Sequence, residues 1–138
     1  MIEITTHYEG GLHCRNTHVP TGTQFSTDAP VDNNGRGETF SPTDLLAAAL
    51  GSCLATIMGI VAQKMDIALD GMKIDVKKHM SESLPRRVAR LEVRIEVPLH
   101  RDHPERRVLE SAALSCPVSL SIHPEIKVPI EWCWLGHA

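Results

Sequence analysis

Leu45 to Ala62 is a run of eighteen residues without a charge in a chain of 138. Apolar on every side, such a run has to be taken out of water all round, and few folds can do that. By length it stands at the threshold for crossing a bilayer, about 18 residues. It is rich in Ala, Gly, Ser and Thr, however, and the flanking segments read as strands of a soluble sheet, so a buried central helix is expected instead. The start signal agrees. Ser41-Pro42-Thr43-Asp44 supplies an N-cap, a proline at the first helical position and an acid three residues after the cap. Gln63 and Lys64 end the apolar stretch.

The segments on either side alternate with period two. Ile2, Ile4, Thr6 and Tyr8 alternate with polar residues up to Gly10-Gly11, and a second break at Pro20-Thr21-Gly22 precedes a third strand-like stretch, Thr23 to Thr27. Ala29 to Thr39 reads as a loop. Beyond the central helix, Met72, Ile74 and Val76 alternate with Lys73, Asp75 and Lys77, and Leu91, Val93, Ile95 and Val97 with Glu92, Arg94 and Glu96, each pattern predicting a strand with one wet face. Asp102 to Ser115 reads as a helix stopped near Cys116 by Pro117, with a short helix to follow. Ile126 to Trp134 closes the chain as a strand. The order βββ-α-ββ-α-β is α+β, in a single domain spanning residues 1–138.

Composition narrows the function. Fourteen basic against seventeen acidic residues give a net charge of -3. No basic block is long enough to neutralise a run of phosphates, which argues against a nucleic-acid partner. The N-terminus shows no secretory pattern, so the expected location is the cytoplasm, with no membrane partner. Cys14, Cys53, Cys116 and Cys133 contain no CxxC pair and are too sparse for a disulfide scaffold. The histidines offer only His100/His103 and His13-Cys14 with His18 as close groups, a weak metal signal. Neither metal nor cofactor is expected.

Among the thiols, Cys53 lies mid-helix on a face with Leu46, Leu50, Ile57 and Ile60, and on the residues alone it reads as a core thiol. Cys116 falls at a helix break, where it is either an inert helix-end residue or a thiol facing free backbone N–H groups that favour its thiolate. Cys133 should point away from the face that carries Trp132 and Trp134. Cys14 reads as a strand residue.

Two segments, Ser41-Pro42-Thr43-Asp44 through Cys53 and Ala113-Leu114-Ser115-Cys116-Pro117-Val118-Ser119, resemble the OsmC/Ohr family of osmotically inducible and organic hydroperoxide resistance proteins. The likeness includes a Pro eleven residues before a mid-helix Cys, a Cys-Pro-x-Ser after the second helix, and the element order across the chain. It implies an intertwined homodimer with antiparallel sheets packed around two long central helices. It also implies thiol-dependent reduction of a small organic hydroperoxide, with Cys53 as the peroxidatic thiol, Cys116 as the resolving one, a Cys53–Cys116 disulfide, and a dithiol reductant. The family's activating Arg is matched by Arg15 in the hairpin or Arg36 in the loop, and Arg15 is favoured because a strand holds a guanidinium more closely. The Glu that usually follows the helix-start Pro is replaced by Thr43. Two other classes remain: a non-enzymatic dimer binding a small hydrophobic ligand at its interface, and a cysteine acyl transferase or hydrolase pairing Cys53 with His123.

Overall fold

A computed structural model describes residues 1–136. The chain divides into two compact units, residues 1–46 and residues 47 onward. The first is a three-stranded antiparallel meander, β1 (Ile4–Tyr8), β2 (His13–His18) and β3 (Gln24–Asp28). The β1–β2 turn needs left-handed backbone at Gly10 (φ 83°) and Gly11 (φ 60°), and the glycines supply it without steric cost. Register pairs Tyr8 with Cys14 and Thr6 with Asn16, and Cys14 with Thr27 and Asn16 with Phe25. One sheet face therefore carries Ile4, Tyr8, Cys14, Asn16 and Phe25, and the other His7, His13, Arg15, Ser26 and Asp28. On the first face Ile4, Tyr8 and Phe25 are exposed.

Asp28 ties down the loop that follows. Its N–H donates to the Phe40 carbonyl (3.1 Å), and its buried carboxylate accepts the Glu38 N–H (3.2 Å) and meets His13 Nδ1 (2.5 Å). Helix α1 (Pro42–Lys64) then opens with the expected reciprocal cap. Ser41 Oγ accepts the Asp44 N–H (3.1 Å), and Asp44 Oδ2 accepts the Ser41 N–H (2.9 Å).

In the second unit, β4 (Lys73–Met80), β5 (Val88–Val97) and β6 (Ile130–Trp134) form one sheet with β5 in the middle. Leu91, Val93, Ile95 and Val97 of β5 are buried, and α1 buries Ala47, Leu50, Leu54, Met58 and Ala62. Each large side chain taken out of water in this way contributes about 1.5–3 kcal/mol. Gly51 allows close approach: a Cβ there would lie 3.4 Å from Val76 Cγ2. This helix is long and apolar enough to cross a membrane by length and composition. Within one chain only one of its faces is buried, not the whole surface its composition led us to expect, and Ile60 stands open.

Two further details differ from the sequence reading. The β4–β5 pair is antiparallel, but β6 runs parallel to β5, with Val93 opposite Ile130 and Ile95 opposite Trp132, so the sheet is mixed. The connection from β5 to β6 passes through helices, and a crossover of that length allows parallel pairing. The second helix is also short. Helix α2 covers Arg106–Ala113 only, because residues 101–105 form a turn in which His100 Nδ1 accepts the Asp102 N–H and His103 Nδ1 accepts the Glu105 N–H (both 3.1 Å). The short helix α3 (Pro117–Ser121) follows. Leu109, Ala112 and Ala113 seat α2 in the core. Its outer side is fastened to β6, where Glu110 Oε1 accepts both Trp134 Nε1–H (3.0 Å) and Arg106 Nε–H (2.9 Å). Arg106 also lies 5.2 Å from the Trp134 ring centroid.

Candidate functional site: a pair of free thiols

Eight residues beyond Leu45, in the middle of the apolar run, α1 brings Cys53 to a half-buried position. Cys116 is fully buried. Proline explains its local geometry: α2 has ended, and Cys116 with ψ 118° serves as the N-cap residue of α3, with Pro117 in the first helical position. The extended backbone leaves the thiol near the N–H groups of Val118 and Ser119, which favour its thiolate, and beside Cys53, which disfavours it. Sixty-three positions apart in sequence, the two sulfurs are neighbours, and both are free thiols.

The surroundings give the two thiols different characters. Burial, and then the adjacent Cys53 sulfur, push the Cys116 thiol up from its ordinary range, and the Val118 and Ser119 N–H groups offset this only in part. Cys116 is thus held protonated, and Cys53 is the more accessible of the two. Leu114 and Leu120, on either side of Cys116 in sequence, are each 73% exposed.

The remaining predicted residues fall as follows. Arg15 is exposed on β2, on the polar face between His7 and Ser26. Arg36 lies against the β1–β2 turn, where a Cβ on Gly11 would come within 2.6 Å of its Nη2. Thr43 Oγ1 is 3.3 Å from Ser41 Oγ, and the Asp44 carboxylate is engaged by the cap. His123 is exposed and its Nδ1 accepts the Glu125 N–H (3.1 Å). The transferase reading needs that ring against Cys53, whose sulfur has Cys116 as its polar neighbour instead. Cys133 sits opposite Glu96 beside Arg94, and Trp132 and Trp134 stack at 6.4 Å on the alternate positions. Among the described residues no group of three or more His, Cys, Asp or Glu could hold a metal ion.

Sequence reasoning missed the His13–Asp28 pair. The His13 hydrogen bond holds the Asp28 carboxyl below the usual aspartate range against the opposing effect of burial, with help from the Glu38 N–H and the Arg36 charge. Fifteen positions separate the two residues. Only the hairpin register, which sets His13 opposite Asp28, could have revealed the pair.

The class is that of α+β chains, and this one sets two free thiols near each other, one buried and one half-buried. The family model for OsmC-like proteins matches residues 35–131, so the chain belongs to the OsmC-like family. A solved structure from Psychrobacter arcticus 273-4, described as an osmotic stress induced and detoxification response protein, is 40% identical over 96% of both chains with a TM-score of 0.89. Organic hydroperoxide resistance proteins from Legionella pneumophila (14% identity, TM-score 0.78, 96% of both chains) and Elizabethkingia anophelis (17%, 0.78, 98% of this chain and 96% of that one) share the fold. No curated protein matches the chain.

Proposed function

We propose that this chain reduces organic hydroperoxides through its thiol pair. Cys53 attacks and becomes a sulfenic acid, Cys116 resolves it as a Cys53–Cys116 disulfide, and Arg15 supplies the cation that favours the attacking thiolate. The observation that carries this reading is the thiol pair itself, a half-buried thiol in α1 beside a fully buried one before α3. Exposure supports the assignment of roles, since an incoming peroxide reaches the more accessible sulfur first. The exposed Leu114 and Leu120 suit a peroxide with an apolar body. Family membership and the names carried by the structural relatives support peroxide detoxification in general.

The active form is a homodimer in the cytoplasm, recharged by a dithiol reductant. Two apolar surfaces support dimerisation: the open side of α1 around Ile60, and the β1–β3 face bearing Ile4, Tyr8 and Phe25. A stable monomer in sedimentation at micromolar concentration would remove the dimer from this scheme. Peroxide chemistry is tested by anaerobic reduction, titration with an organic hydroperoxide and thiol counting. The expected result is loss of the Cys53 and Cys116 thiols to one disulfide that a dithiol reverses, with Cys14 and Cys133 still free. Mass spectra with Cys53 and Cys116 intact, or a disulfide to Cys14 or Cys133, refute the proposal. A non-enzymatic dimer that binds an apolar ligand would then be the better reading. One observation already favours that alternative: Thr43 stands where the family has a carboxylate, and the cap occupies the neighbouring Asp44.

A further inference from the structure

The tripeptide His-Pro-Glu occurs at residues 103–105 and again at 123–125, and both copies fold the same way. In each, the histidine Nδ1 accepts the glutamate N–H at 3.1 Å. The histidine carbonyl accepts the N–H three residues on, from Arg106 at 3.1 Å in the first copy and from Ile126 at 3.0 Å in the second. The intervening proline has no N–H to satisfy, and its fixed φ suits the second position of such a turn. The first copy leads into α2 and the second follows α3, so the two turns bracket the α2–α3 segment that carries Cys116. A ring nitrogen that accepts a hydrogen bond carries no proton, so both turns need a neutral imidazole.

Other histidines are set differently. His13 lies 2.5 Å from Asp28 and 3.6 Å from Glu9, and His79 lies 3.1 Å from Glu92, so protonation strengthens those contacts. His100 Nδ1 accepts the Asp102 N–H but has the Asp102 carboxylate 3.7 Å away as a partner when charged. Among the described residues no carboxylate lies within ion-pair distance of His103 or His123. The charged side chains nearest His103 in the chain are Arg101, Asp102, Glu105, Arg106 and Arg107, with Arg106 taken up by Glu110 at 2.9 Å; those nearest His123 are Glu125 and Lys127.

We propose that the two His-Pro-Glu turns are a pH-sensitive catch, which holds the α2–α3 segment at neutral pH and releases it when both imidazoles take up protons. Protonation at Nδ1 removes the acceptor, leaves the Glu105 and Glu125 N–H groups without their partner, and sets a positive charge at the positive end of the α2 dipole. The catch is closed above the imidazole range of about pH 5 to 8 and opens as pH falls through it.

Amide hydrogen exchange tests this, read by mass spectrometry on peptides from residues 103–125 and corrected for the intrinsic effect of pH on exchange. From about pH 7.5 to about pH 5.5 protection there is expected to fall about tenfold, following the neutral fraction of an ordinary imidazole. The β4–β5 hairpin, whose histidine faces a carboxylate, should change by less than about twofold. His103→Asn combined with His123→Asn supplies side-chain oxygens that accept the N–H two residues on without titrating, and should keep protection within about twofold over the same range. His103→Ala combined with His123→Ala should show the acid level of protection already at neutral pH. Constant protection in the parent, a fall shared equally by the β4–β5 hairpin, an Asn variant that loses protection as the parent does, or an Ala variant as protected as the parent at neutral pH overturns the proposal.

Discussion

Glu110 is the residue through which α2 is fastened to the last strand, and Glu110→Ala tests whether that fastening positions Cys116. One oxygen, Oε1, accepts both the Trp134 indole N–H at 3.0 Å and the Arg106 Nε–H at 2.9 Å. The neutral bond contributes about 0.5–1.5 kcal/mol net. The charged one would add more in a dry site, but the Arg106 side chain is 39% exposed and that of Glu110 27%, so solvent screening reduces it to about 0.5–1 kcal/mol. Truncation should therefore cost about 1–2 kcal/mol, which for a chain of this size lowers the melting midpoint by about 3–6 °C. Glu110→Gln keeps an acceptor for the indole and should cost under about 1 kcal/mol. Urea titration followed by tryptophan emission reads both quantities, since the Arg106 guanidinium lies over the Trp134 ring. Because Cys116 follows the end of α2 closely, the same variant should slow disulfide closure and leave the first oxidation of Cys53 unchanged. Stability within about 0.3 kcal/mol of the parent, together with an unaltered closure rate, would refute the reasoning.

Four shorter expectations follow from the same geometry. The Cys116 thiol is raised in the folded chain, so the stability it contributes is present below the ordinary thiol range and declines as pH rises through the folded value; Cys116→Ala should flatten the alkaline limb of a stability-versus-pH curve. Asp28 is lowered, so its contribution persists at neutral pH and is lost only as pH falls below the ordinary aspartate range; Asp28→Asn should raise proteolysis of residues 29–40 at neutral pH, and unchanged cleavage would discount the latch. Arg15→Ala should shift alkylation of Cys53 to higher pH by more than Arg36→Ala does, and the reverse order would give the activating role to the loop. Gly59→Ala, in a helical site with nothing within 4 Å of the new methyl, should stabilise by about 0.5–1 kcal/mol in thermal melts.

Periodicity carried most of the fold. The cap at Ser41, the end of α1 at Lys64 and the alternating β4 and β5 were legible because each is set by local chemistry: a reciprocal side-chain bond, an uncharged run, a one-sided sheet. What escaped was non-local or competitive. The parallel β6 depends on where a helical crossover returns the chain, which the alternation of Ile130, Trp132 and Trp134 does not encode. The late start of α2 reflects competition, since His100 and His103 bond the backbone of the residues two beyond them and hold residues 101–105 in a turn.

The thiol pair divides along the same line. That Cys116 would sit between a helix end and a proline, with backbone N–H groups before it, could be read from Cys116-Pro117 alone, because proline at a first helical position fixes that geometry. That it would lie beside Cys53 could not, since the chain has to be packed before two residues 63 positions apart come near each other. On composition Cys53 is a small hydrophobe among Leu and Ile. What distinguishes it from the other core positions is its neighbour, a second and fully buried thiol. On the proposed chemistry the fully buried cysteine is as informative as the more accessible one: accessibility would decide which sulfur meets an oxidant, and a second thiol beside it would decide whether the oxidised state can be closed before it is oxidised further.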